Sequence, residues 1–67
     1  MIYKVWNRDG SARPWYFDFF RESIDGSVYS YEMDGPLVRS ATFVVKKPIP
    51  QYLFEHYFFD YEILSST

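Results

Sequence analysis

The sequence predicts a small single α+β domain: an antiparallel sheet of three to four strands with one main helix, in the order β-α-β-β-(α)-β. Three observations lead there. Asp9-Gly10, Asp25-Gly26 and Asp34-Gly35, with Pro14, Pro36, Pro48 and Pro50, cut the 67-residue chain into short segments. Asp tolerates left-handed backbone and Gly adopts it without steric cost, so each dipeptide marks a turn or a helix stop. Between these breaks the hydrophobic pattern changes from a strand period of two to a helical period near 3.6. Seven Phe, seven Tyr and two Trp supply a core that no disulfide can support, because there is no Cys.

Residues 2–6 form the first strand, with Ile2, Lys4 and Trp6 opposite Tyr3 and Val5. In 14–24, Asp18, Arg21 and Glu22 gather in one arc of a helical wheel, while Trp15, Tyr16, Phe17, Phe19, Phe20 and Ile24 fill the rest. That periodicity, with Pro14 in the first turn and Gly26 just past the end, favours a helix. The aromatic content pulls toward strand, and Asp25-Gly26 could equally turn a hairpin, so the choice stays open. Residues 27–33 alternate and are β-prone, Asp34-Gly35-Pro36 is a turn, and 37–47 is rich in β-branched residues. These two runs pair as an antiparallel hairpin. Residues 42–45 are expected at the centre of the sheet, so that Val44→Asp, if that side chain is buried, costs several kcal/mol. Pro50 opens a short helical turn through about His56. Tyr57, Phe59, Tyr61 and Ile63 then alternate with Phe58, Asp60, Glu62 and Leu64 as a last strand, apolar on one face and acidic on the other.

The order resembles, in outline, the split βαβ arrangement of ferredoxin-like folds. The chain is short for that fold, and its second helix is barely two turns.

A domain of this size buries only about 60% of the surface its unfolded chain exposes. Twelve Val, Ile and Leu compete with the rings for the interior, so some aromatic area stays outside. Exposed Tyr and Trp suit a contact face, having large area, few rotatable bonds and a polar tip. No apolar run approaches the roughly 20 residues that span a bilayer. The N-terminus lacks the charged and apolar regions of a signal peptide. The chain opens on Met and enters patterned sequence at once, which reads as a complete intracellular miniprotein, cytoplasmic in location. The net charge is −2, and every Lys and Arg lies between Lys4 and Lys47. The C-terminal third keeps Glu55, Asp60 and Glu62 without a cation. Phosphate recognition needs cations, so nucleic acid is disfavoured and a basic protein surface favoured.

Catalysis finds little support. His56 has Glu55 beside it and Asp60 four residues on, but no third metal ligand, so no metal or cofactor is expected. Glu32 with Asp34, and Asp60 with Glu62, sit two apart on strand faces. Acid–base chemistry would need them in a cleft, and a domain this small rarely encloses one of the roughly 300–1,000 Å³ class. The glycines are isolated, so no phosphate loop exists. Lys46-Lys47 protects a strand edge. Tyr29 and Tyr31, expected on one strand face, could stack bases.

Acid and aromatic residues recur together in 29–34 and 54–62. These segments define the expected partner-binding residues: Tyr29, Tyr31, Glu32, Asp34, Glu55, Phe58, Asp60 and Glu62. The leading expectation is a non-enzymatic protein-binding miniprotein that docks on a basic site of a larger protein. In size and composition the chain resembles phage-borne inhibitors of host machinery, including anti-CRISPR proteins, some of which mimic the charge of nucleic acid. That resemblance implies action in a host cytoplasm. The alternatives are a small nucleic-acid-binding domain using exposed Tyr, and a homodimer burying its aromatic excess on a sheet face.

Overall fold

The computed structural model describes residues 1–66. Its elements are strand β1 (Ile2–Asn7), helix α1 (Pro14–Glu22), strands β2 (Gly26–Asp34) and β3 (Leu37–Val45), helix α2 (Gln51–His56) and strand β4 (Phe59–Ser65). This is the expected α+β domain, with four strands in one sheet. The sheet order is β2-β3-β1-β4, and every neighbouring pair is antiparallel. β1 and β2 are each antiparallel to β3, which lies between them, so they run parallel to one another across α1. β3 and β4 are related in the same way across α2, with β1 between them. Two interleaved split βαβ units result, which is the ferredoxin-like outline.

The segment left open between helix and strand is helical as far as Glu22. Arg13 precedes a proline and is extended at φ −64° and ψ 146°; Pro14 then occupies the first turn, where its missing N–H costs nothing. At the other end Ser23 and Ile24 donate to the Phe20 and Arg21 carbonyls and tighten the last turn. Asp25-Gly26 makes no hairpin. Gly26 starts β2 opposite Val45, and a Cβ there would overlap the Val44 carbonyl oxygen, so close strand approach demands the glycine. Gly35, at φ +61°, carries the β2–β3 turn.

Both helices cover the same face of the sheet. α1 buries Phe17 and Phe20, α2 buries Leu53 and Phe54, and the strands add Tyr3, Val5, Val38, Ala41, Phe43, Val45 and Phe59. The Phe20 ring lies 4.9 Å from Phe59 and 5.6 Å from both Phe43 and Phe54. Such pairs add roughly 0.5–1.5 kcal/mol each beyond area burial. The polar tips also find partners. The Tyr3 hydroxyl accepts the Ile49 N–H at 3.2 Å, and Tyr16 donates to the Tyr57 carbonyl at 2.8 Å. Among the described residues no buried side-chain nitrogen or oxygen lacks a partner.

Several expectations change. The stretch 42–45 is central, since β2 and β1 flank β3, but Val44 is 40% exposed. Phe43 and Val45 take the helix-facing positions, and a period of two turns Val44 outward. Tyr29 and Tyr31 do not share a face. The β2–β3 register shifts between Val28 and Ser30, which makes Tyr29 the extra residue of a bulge. Tyr31 pairs with Ala41 and turns to the helix layer, its hydroxyl 3.3 Å from Asp18 and its ring beside Phe17. Tyr29 is left 76% exposed on the other side. Finally, Tyr57 and Phe58 do not belong to the last strand. Tyr57 caps α2 against Phe20, and Phe58 turns the chain into β4 at φ +58°.

Candidate functional site

Because α1 and α2 take one face of the sheet, the other stays uncovered. Alternation fixes what it presents. Tyr3 and Val5 are buried, so Ile2, Lys4 and Trp6 of β1 point out, as the sequence indicated. In register with them stand Thr42 and Val44 on β3, and Asp60 and Glu62 on β4. Trp6 faces Asp60 across the ladder, and Lys4 faces Glu62.

Two hollows mark this face. One, of about 430 Å³, is mainly apolar and lies among Ile2, Tyr29, Thr42, Val44 and Leu64. The other, of about 500 Å³, is charged, with Lys4, Trp6, Glu32, Asp34, Arg39 and Glu62 in its lining. Both reach the volume class that a domain this small was expected rarely to enclose, but as open depressions of the sheet surface. The loop between β1 and α1 builds the end wall of the charged hollow. Asp9 N–H bonds the Asn7 side-chain oxygen at 2.9 Å, and Gly10 N–H bonds the Asn7 carbonyl at 3.0 Å. The Ser11 hydroxyl donates to Asp34 at 3.0 Å, and Ala12 exchanges two backbone hydrogen bonds with Val38. The wall is thus tied to β3 and to the end of β2.

The eight expected partner-binding residues fall into separate places. Tyr31 is turned to the helix layer, where burial first, and the Asp18 charge second, push its hydroxyl above the usual tyrosine range. Tyr29 overhangs the apolar hollow. Glu32 and Asp34 line the charged hollow and share Arg39 at 3.5 and 3.7 Å. Glu55 and Phe58 sit at the corner between α2 and β4, both held by Arg8. The guanidinium grips the Glu55 carboxylate at 2.9 and 3.2 Å and stands 5.4 Å from the centre of the Phe58 ring. The Arg8 hydrogen bonds, and then that from Gln51 at 3.1 Å, hold Glu55 below the usual carboxylate range. The left-handed backbone of Phe58 costs roughly 1–2 kcal/mol. Its carbonyl accepts the Arg8 N–H at 3.0 Å, and this corner is thereby fixed.

Asp60 and Glu62 differ from the other acids. Both project from the open face, and neither closes an ion pair among the described residues. Trp6 and Lys4 beside them, and Arg39 in the same hollow, belong to this candidate face and were absent from the expected partner-binding residues. The alternation placed Trp6 and Lys4 outward. What it lacked was the knowledge that no helix covers that side.

His56 ends α2, with its ring edge-on to Tyr57, while Asp60 lies on β4, so the two share no helical face. Among the described residues no group of three or more His, Cys, Asp or Glu could hold a metal ion, and no helix is long and apolar enough to cross a membrane. Compared with protein-family models, with curated proteins and with solved structures, the chain matches none.

Proposed function

We propose that this chain is a non-enzymatic protein-binding module that seats the open face of its sheet, with acidic β4, on a basic site of a larger protein. One observation carries the reading: Asp60 and Glu62 leave the uncovered face side by side, next to Trp6, and neither closes an ion pair among the described residues, although Lys4 stands opposite Glu62. An aromatic side chain with charge around it is the composition of an interface centre and its rim. Opposite charge on the partner would speed encounter and fix orientation. The narrower form of the reading is a phage-type inhibitor in a host cytoplasm, with carboxylates standing where a nucleic acid has phosphates. It rests on small size, a pI near 5.1 and this acid pair.

A second reading, self-association, has its own observation. Tyr29, Val44 and Leu64 leave apolar area around one hollow of the same face. The base-stacking alternative has lost the geometry it relied on, since Tyr29 and Tyr31 lie on opposite sides of β2.

The test is capture from a cell lysate on the immobilised chain at graded salt, with sedimentation of the free chain alongside. The expected result is a monomer that retains one basic protein and releases it as ionic strength rises past about 0.15 M. Retention of nucleic acid, or a free chain that is already dimeric, would move the function to one of the other classes.

A further inference from the structure

The two edges of the sheet are not alike. The β2–β3 pairing shifts register twice, with Tyr29 the extra residue on β2 and Arg39 the extra residue on β3. β4 pairs with β1 without interruption from Asn7–Phe59 to Tyr3–Ile63, and its only irregularity lies beyond Tyr3. Apart from that ladder, residues 60–64 make no backbone hydrogen bond to any described residue. Their outward N–H and C=O groups form an unpaired edge, regular from Asp60 to Ile63 and bulged only at Leu64. Edges of this kind are usually blunted by Lys, Pro or a bulge. Residues 60–64 contain no Lys or Pro, and only two acids on one face.

Those acids disfavour the self-pairing register that brings them together. In an antiparallel pairing of two copies centred on Tyr61, Asp60 of each copy would stand opposite Glu62 of the other. Like charges directly opposite are destabilising, and the one cation beside them in the sheet, Lys4, faces Glu62 from β1 on the other side of the strand. A strand with basic residues two apart would instead meet Asp60 and Glu62 on the outer face. Its intervening residues would lie beside Tyr61 and the 47%-exposed Ile63 on the helix side. We infer that β4 accepts an extended segment of alternating basic and apolar residues as a fifth strand. This deepens the reading above and rests on it, because it specifies how the basic partner is held.

The probes are a peptide alternating Lys and Val, the same composition in blocks, and the alternating peptide N-methylated at every second residue. Binding is followed by amide chemical shifts and amide exchange on the full chain. The alternating peptide is expected to bind and to slow exchange within 60–64. Blocking the sequence or methylating the backbone should weaken it by about tenfold, since charge is kept while pairing is lost. Equal binding of the methylated peptide, with shifts centred on Trp6 and Lys4, would overturn strand addition but leave docking by the open face intact. Absence of binding by all three peptides would overturn both. A dimer of the free chain protected along β4 would overturn the inference in favour of self-pairing.

Discussion

Glu55 shows how a single residue can look free in sequence and be engaged in the fold. It stands in the acidic, cation-free third of the chain, yet Arg8, 47 positions away, meets it in a forked pair. The pair has a pH signature. The folded-state pKa of Glu55 lies below its ordinary value of 4.5. Its contribution is therefore complete above that value and is lost as pH falls through the depressed one. Melting curves of the parent and of Glu55→Gln should differ at neutral pH and converge below about pH 4.5. The gap should also narrow in high salt, because the pair is exposed. A gap that persists unchanged into strong acid would mean that Glu55 acts through packing, not through its charge.

At the scale of elements, β3 ties the two split units together, and its two faces have opposite demands. Phe43 is fully buried against Phe20, whereas Val44 looks out over the apolar hollow. Phe43→Ala should cost about 3–5 kcal/mol, most of the roughly 3–10 kcal/mol available to a domain of this length. Val44→Asp should cost only about 0.5 kcal/mol, a melting shift of a few degrees. Thermal unfolding followed by circular dichroism separates the two. A variant at Val44 as damaged as that at Phe43 would mean that the open face is covered. The strand was legible in the run 42–45, because β-branched density and alternation are local properties. Which neighbour faced the helices was not. Parity alone leaves two choices, and the arrival of Phe20 on one side settles them. The bulge at Tyr29 escaped for a related reason. It arises from matching β2 to β3, so the residues of β2 taken alone, which alternate well, gave no sign of it.

For the whole molecule, element order and the breaks at Pro14, Gly35 and Pro50 were enough to outline a split βαβ domain. They did not reveal that the sheet keeps one bare face. That follows from both crossovers passing on the same side, a long-range property of the topology. Once the face is bare, residues that read as an ordinary strand pattern, Lys4 and Trp6 among them, become surface chemistry beside Asp60 and Glu62. Acids that looked equivalent in sequence divide. Glu32, Asp34 and Glu55 close ion pairs with arginines, and the β4 acids close none among the described residues, although Lys4 faces Glu62 and Arg8 feels the Asp60 charge. The claim that β4 and its open face make the docking surface is tested most directly by titration calorimetry. The parent and an Asp60→Lys/Glu62→Lys variant are titrated against the basic protein that the chain captures. Both should remain folded by circular dichroism, because exposed charge changes shift stability by about 0.5 kcal/mol each. The variant should bind at least about tenfold more weakly and lose most of its salt dependence. Equal affinity of two folded proteins would contradict the account and move the docking surface away from β4.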